Sequence, residues 1–325
     1  MREKRSLITG ANGFIGYALT KRLLETRPDE RLVLHARTAF SPDTIELVGQ
    51  YPGRTTYRYG DLGDYDIGDD AEIEDVDRVY HLAARIATTG ASANVLDENE
   101  TIDAALFDAY AARDDVRILY ASTGEVLGPL WELMAASSDW KWPPPETHGA
   151  AAITIPDPRW MYALSKIVGE ARLRHSGYAY DWTIARLQNP YGPRASEATL
   201  IPQIIKGALK GPPATVYVND TRPFLYVDDV ADALILTMES PHASKRVVNI
   251  AGPEITAGQM ADAITAVLED PGAYTKQYRE GHLPFHRRAL DTAFLDGLGW
   301  RPWITLDEGA KKTVEYFKQR YEQED

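Results

Sequence analysis

The sequence predicts an α/β protein with a doubly wound parallel sheet and a smaller α/β lobe toward the C-terminus, and three observations carry that reading. Short apolar runs alternate with helical patterns through the first half, a glycine-rich turn joins the first run to the first helix, and Gly/Pro turns separate helices in the second half. Repeated strand, helix, strand gives a parallel sheet, because parallel neighbours need a long crossover and a helix supplies it. In order, the strands are Leu7-Ile8, Leu32-Val33-Leu34, Thr56-Tyr57-Arg58-Tyr59, Val79-Tyr80, Ile118-Leu119-Tyr120 and Trp182-Thr183-Ile184-Ala185. Ile102, Ala105, Leu106, Ala109 and Tyr110 recur at three- and four-residue spacing, as do Leu164, Ile167, Val168 and Ala171, so each helix has one face to bury. Gly211-Pro212-Pro213 and Ala251-Gly252-Pro253 then punctuate helices near 199–210, 228–239, 257–268 and 306–321. The expected partition gives residues 1–189 plus about 223–252 to the larger domain, and about 190–222 plus 253–325 to the smaller. Between them, Trp131, Trp140, Trp142 and the Pro143-Pro144-Pro145 run predict a long ordered loop within 129–160.

The 325 residues are 44% apolar and 26% charged, enough to bury a core and far from a disordered or collagen-like composition. A net charge of −13 repels phosphate backbones and anionic lipid, so general nucleic-acid and membrane-surface binding are excluded as functions. An anionic ligand must find a local pocket. With no cysteine there is no disulfide, thiolate nucleophile or thiolate metal site, which fits a reducing compartment. No apolar stretch resembles a signal segment or a membrane span, and cytoplasmic localisation is the expectation. The histidines show no metal-ligand spacing, so no metal is expected.

Thr9-Gly10-Ala11-Asn12-Gly13-Phe14-Ile15-Gly16 follows the first strand and opens a helix. Glycine there permits a tight turn, lets backbone N–H groups approach a pyrophosphate, and lets the helix pack close to the strand with its positive end toward the anion. That context makes the segment a dinucleotide cradle, and the sheet a Rossmann-type one. The second strand ends without the acid that would hold an adenosine ribose: His35 stands near that place and Arg37 two residues on. A guanidinium pairs with a 2′-phosphate that a carboxylate would repel, so NADP is favoured over NAD. Asp61-Leu62, just past the third strand, suits the adenine end of the same cleft.

Thr123-Gly124-Glu125 follows the fifth strand at its carboxyl end, where open parallel sheets bind ligands. Tyr162 and Lys166 lie four residues apart on a helix and share a face, so the ammonium is expected to lower the phenol toward the range of a general base.

With these motifs in this order, the chain resembles the extended short-chain dehydrogenase/reductase family of nucleotide-sugar epimerases, dehydratases and decarboxylases. The likeness continues through Tyr80-His81-Leu82-Ala83-Ala84, Asn99, Arg186-Leu187-Gln188-Asn189-Pro190-Tyr191-Gly192-Pro193-Arg194, Arg222-Pro223-Phe224-Leu225-Tyr226-Val227-Asp228-Asp229-Val230, Val248-Asn249-Ile250-Ala251-Gly252 and Leu298-Gly299-Trp300-Arg301-Pro302, nearly the whole length. The resemblance implies a substrate that is a nucleotide-diphosphate sugar, with Thr123 holding the reacting hydroxyl, Tyr162 removing its proton, and Lys166 binding the nicotinamide ribose. It implies cofactor contacts at Leu82, Ala83 and Ala84, a substrate contact at Asn189, a diphosphate clamp at Arg222, and a homodimer through the helices near 101–113 and 162–175.

In this family hydride leaves sugar C4, and the fate of the resulting ketone separates the enzymes. Removal of the C5 proton leads to loss of water from C6, a C6 carboxylate leaves as carbon dioxide, and return of hydride to the other face inverts C4. Glu125, two residues after Thr123, is a proton-transfer group that simple 4-epimerases usually lack, so dehydration or UDP-glucuronate-type decarboxylation is expected. Gly124 departs from the Asp and Ser found there in the dehydratases and decarboxylases that Thr-Gly-Glu otherwise resembles. Pro158-Arg159-Trp160-Met161-Tyr162 is similar to the approach to the tyrosine in bacterial UDP-glucuronate decarboxylases, and Arg85 is placed to meet either a sugar carboxylate or a cofactor phosphate. The alternatives are a 4-epimerase, an NADPH-dependent ketosugar reductase, and a catalytically inactive cofactor-binding regulator of the same fold.

Overall fold

A computed structural model describes residues 4–64, 67, 70–86, 94–128, 159–270, 272–278 and 289–323. Trp131, Trp140, Trp142 and the proline run lie outside the described residues. The described residues divide into two compact units, one drawn from 4–128, 159–187 and 231–248, the other from 188–230 and 249–323.

In the first unit, β1 (Lys4–Thr9), β2 (Glu30–Ala36), β3 (Thr55–Tyr59), β4 (Arg78–His81), β5 (Arg117–Thr123) and β6 (Asp181–Leu187) are joined by β11 (Arg246–Ile250) in a seven-stranded sheet ordered β11-β6-β5-β4-β1-β2-β3. β1 to β6 pair in parallel. The sheet is thus the Rossmann-type α/β arrangement expected, and the strand order reverses between β1 and β4, whose carboxyl ends frame the crevice in which such sheets take ligands.

Helices α1 (Phe14–Thr26), α2 (Pro42–Gly49), α3 (Ala71–Glu74), α4 (Val95–Ala109) and α5 (Arg159–His175) connect the strands. One face of α4 carries Ile102, Leu106 and Phe107 into a core with Leu7, Val79, Ile118, Tyr120 and Ile184, where removal of apolar surface from water stabilises the unit. Asn99 and Asp103 are buried on that same face, an expense in desolvation that needs partners.

The second unit is built from β7 (Pro190–Tyr191), α6 (Leu200–Lys210), β8 (Ala214–Tyr217), β9 (Thr221–Pro223), β10 (Leu225–Tyr226), β12 (Glu254–Thr256), α8 (Ala257–Leu268), β13 (Tyr274–Gln277), α9 (Ala293–Gly297) and α10 (Leu306–Gln323), with α7 (Val227–Glu239) starting in it. Three two-stranded sheets pair β10 with β7, β12 with β9 and β13 with β8. A reciprocal Thr256–Gln259 capping box fixes where α8 begins. Among the described residues, no helix is long and apolar enough to cross a membrane.

Candidate active site

The glycine turn leaves β1 at Gly10, whose φ of +68° and close approach to the Ala83 backbone exclude a side chain. A Cβ at Gly16 would lie 2.2 Å from the Gly10 carbonyl oxygen, so this glycine lets α1 start directly against the turn. Gly13 caps α1 in extended conformation with no side-chain partner for the first amides and no acid in the first turn, the donor set an anion uses. Phe14 and Ile15 follow, both partly buried. Asn12 faces sideways: its Oδ1 accepts from Ser41 N (3.0 Å) and Thr44 Oγ1 (3.1 Å), tying the turn to the segment after β2. Arg37, exposed, opens that segment.

His35 is buried inside β2, where burial lowers its pKa to about 4, so its ring is neutral; its carbonyl accepts from Ala11 N at 3.0 Å and thereby holds the turn. Asp61 Oδ1 accepts from Gly63 N (3.2 Å), a turn contact, and Leu62 is buried. Arg85 is held by carboxylates, its Nε 2.6 Å from Glu98 and its Nη2 3.9 Å from Asp61.

At the exit of β4 a polar chain runs from the glycine turn toward α5. Thr9 Oγ1 accepts from the amides of Leu82 and Ala83 at 3.1 Å each, so its one proton goes to His81 Nδ1 at 2.8 Å. His81 therefore carries its proton on Nε2 and donates it to Asp103 Oδ1 at 3.0 Å, and burial keeps the ring neutral. Asp103 Oδ2 accepts from the Tyr120 hydroxyl at 2.6 Å, and the Tyr120 ring lies 4.4 Å below Lys166 Nζ. Alongside, Asn99 brackets Arg85 with both ends of its amide and donates to Ser165 Oγ (2.9 Å), which donates to the Tyr162 carbonyl (2.8 Å). Ala84 is partly buried in the same stretch.

Tyr162 and Lys166 share a face of α5, as the spacing predicts, but their electrostatics run opposite to the expected softening of the phenol. Burial, then the charges of Glu125 and Asp103, push Tyr162 above its ordinary value, while burial pulls Lys166 down. Lys166 is 1% exposed and its ammonium has no hydrogen-bond partner among the described residues. Thr123 ends β5 and its Oγ1 accepts from Glu125 N at 3.2 Å, which leaves the hydroxyl proton available to a ligand. Glu125 follows, partly buried, on a one-turn 3₁₀ helix, Gly124–Leu127.

In the second unit, Asn189 adopts φ +42° immediately before β7, and its buried Nδ2 has no partner among the described residues. Arg222 donates to the Thr221 carbonyl (2.8 Å) and lies 3.4 Å from Asp220 Oδ2.

A glycine turn shut to side chains and a buried ammonium with unused donors fit a nicotinamide dinucleotide: amides for the pyrophosphate, Lys166 for ribose hydroxyls. Asp103 belongs to the site without carrying any of the motifs named above. The signal was present: an acid inside the apolar stripe of α4, between Ile102 and Leu106. No group of three or more metal-ligating side chains able to hold an ion occurs among the described residues.

Residues 6–251 match the model of the NAD dependent epimerase/dehydratase family. UDP-glucuronic acid decarboxylase 1 of Xenopus tropicalis is 29% identical over 98% of this chain and 73% of its own length. Among solved structures, the UDP-N-acetylglucosamine 4-epimerase from Methanobrevibacter ruminantium M1, in complex with UDP-N-acetylmuramic acid, is 26% identical, covers 98% of this chain and 100% of its own, and superposes with a TM-score of 0.79. UDP-glucuronic acid 4-epimerase from Bacillus cereus, in complex with NAD, shares the fold at a TM-score of 0.81 with 20% identity, over 98% of this chain and 99% of its own.

Proposed function

The chain belongs to the NAD dependent epimerase/dehydratase family, and on that premise we propose that it oxidises a UDP-sugar at C4 and uses Glu125 for proton transfer at C5, with the C6 hydroxyl lost as water or C6 itself lost from C5 as carbon dioxide. The observation that carries the reading is the buried Lys166 ammonium, without a hydrogen-bond partner among the described residues, one helical turn from Tyr162 on α5. A bound nicotinamide dinucleotide supplies the acceptor and donor of hydride.

The chain's own groups do the rest. Thr123 donates its free hydroxyl proton to orient the reacting sugar oxygen, and Tyr162 Oη takes the proton of the C4 hydroxyl as its C–H bond breaks. Burial raises the phenol, so the ammonium of Lys166, one turn along α5, is assigned the positive charge that makes Tyr162 a base. The C4 ketone acidifies C5; Glu125 removes the C5 proton for loss of water, or protonates C5 after carbon dioxide has left a uronate. Asn189, with its spare amide donors, is assigned to the substrate and Arg222 to the diphosphate. Arg85, already matched by Glu98 and Asp61, is assigned to the cofactor side rather than to a sugar carboxylate.

Gly10, Asn12, Gly13, Phe14, Ile15 and Gly16 would hold the pyrophosphate, Asp61 and Leu62 the adenine end, and Leu82, Ala83 and Ala84 the remainder of the cofactor. Exposed Arg37, at the mouth of β2 and beside a segment tied to the glycine turn, favours NADP; His35 contributes through its carbonyl. The proposed assembly is a homodimer through α4 and α5, which pack against each other and present Thr101, Ala104 and Ala105 outward.

The test is incubation with UDP-, GDP-, dTDP- and CDP-sugars, UDP-glucuronate included, in heavy water, with product mass followed. Loss of carbon dioxide or of water, with deuterium at C5 where carbon dioxide leaves, supports the proposal. An isomer of unchanged carbon skeleton and no solvent deuterium would replace it with 4-epimerisation, and net consumption of NADPH would replace it with ketosugar reduction.

A further inference from the structure

We propose that Asp103 is a positioning residue for the Tyr162–Lys166 pair: its carboxylate, gripped by His81 and Tyr120, holds the Lys166 ammonium charged over the Tyr120 ring. The proposal rests on reading Tyr162 and Lys166 as the proton-transfer pair.

A buried ammonium needs a counter-charge or it loses its proton. Two carboxylates face Lys166: Asp103 from α4 and Glu170 from its own helix. The other titratable groups around it are His81 on β4, Tyr120 on β5 and Tyr162 on α5, with Glu125 facing Tyr162. Glu170 is committed elsewhere. Its Oε1 accepts from Ser122 (2.6 Å) and Arg186 Nε (2.9 Å), and its Oε2 from Arg186 Nη2 (2.7 Å). Among the described residues, Asp103 accepts from neutral donors alone, because Thr9 fixes His81 as the neutral Nε2–H tautomer and Tyr120 gives a hydroxyl. Lys166 is then the cation that balances Asp103.

Tyr120 transmits the charge. Its hydroxyl donates to Asp103 at 2.6 Å while its ring face takes the ammonium at 4.4 Å, and a phenol drawn toward a carboxylate is a more electron-rich ring for a cation. Room for the pair is made by Gly169 of α5: a Cβ there would stand 2.2 Å from the Tyr120 hydroxyl oxygen and 2.5 Å from Asp103 Oδ2. The same chain begins at Thr9, whose Oγ1 holds the amides beside the glycine turn, so hydrogen bonds run from the cradle to Tyr120 and the cation–ring contact completes the link to the helix of Tyr162.

The test titrates Lys166 directly, by NMR of protein carrying 13C at lysine Cε, with the Lys166 signal assigned through Lys166→Arg. In Asp103→Asn the Lys166 proton is expected to bind about tenfold or more weakly, and the alkaline limb of the turnover pH profile to move down with it. Asp108→Asn, on the outer face of α4, leaves the titration in place. Tyr120→Phe, which keeps the ring and removes the link, gives a smaller shift in the same direction and serves if Asp103→Asn does not fold. An unmoved Lys166 titration in both Asp103→Asn and Tyr120→Phe would overturn the proposal, even with Tyr162→Phe inactive. Full turnover in Tyr162→Phe would instead overturn the catalytic reading, whatever Lys166 does.

Discussion

Two buried charge clusters sit one turn apart on α5, and they differ in how their hydrogen bonds close. Arg186 and Glu170 meet through two parallel bonds with Ser122 adding a third, and both are almost wholly excluded from solvent. Lys166 is equally buried, yet its ammonium meets an aromatic face and a carboxylate beyond it, with no hydrogen bond to either. The first cluster is complete, as a structural ion pair must be to offset its desolvation. The second keeps donors unspent, which makes sense for a group whose partner is a ligand.

Removing one member of each cluster separates their roles. Tyr162→Phe is expected to lower turnover by roughly 10²–10⁴-fold with little change in urea stability, since the lost hydroxyl serves the reaction. Arg186→Met does the reverse: it strands the Glu170 carboxylate and costs roughly 3–5 kcal/mol, read as a fall in the urea midpoint. A stable Arg186→Met protein would mean that the closed cluster is not holding β6 to α5.

A third buried group separates burial from charge. The folded pKa of His35, about 4, lies below the 6.5 of an unperturbed histidine, so between these values the unfolded chain binds a proton that the folded one does not. Stability then falls as pH drops through that window, by up to about 3 kcal/mol at its lower end. His35→Gln should flatten part of this slope in urea titrations at successive pH values, with His81, lowered in the same direction, supplying the remainder. An identical slope would show His35 already protonated in the fold.

The smallest effect concerns the cradle. Gly16→Ala drives a methyl against the Gly10 carbonyl and is expected to cost about 1–3 kcal/mol by overpacking, together with weaker quenching of protein fluorescence by a reduced nicotinamide dinucleotide. Stability lost with cofactor binding intact would separate the packing of α1 from the phosphate site.

The fold was legible because its signals are local: each strand named from apolar runs lies within β1 to β6, and the glycine spacing marks where α1 starts. Tyr162, Lys166, Thr123 and Glu125 were legible as a motif. Their electrostatics were not, since the direction of the Tyr162 shift depends on burial and on carboxylates 37 residues before it and 59 before it in the chain, Glu125 and Asp103. Asp103 and Tyr120 become meaningful only when α4, β5 and α5 pack together and Gly169 opens room between them. His35 shows the converse: a residue placed correctly at the end of β2 whose ring the sheet encloses.

The most direct test of the central claim mixes cofactor-loaded protein rapidly with UDP-glucuronate, then with UDP-glucose, and follows reduced nicotinamide by its near-ultraviolet absorbance. A transient rise is expected with at least one UDP-sugar in the wild-type protein and none in Tyr162→Phe. A rise of equal size in Tyr162→Phe, or no rise with any nucleotide sugar, would contradict oxidation at C4 by this pair.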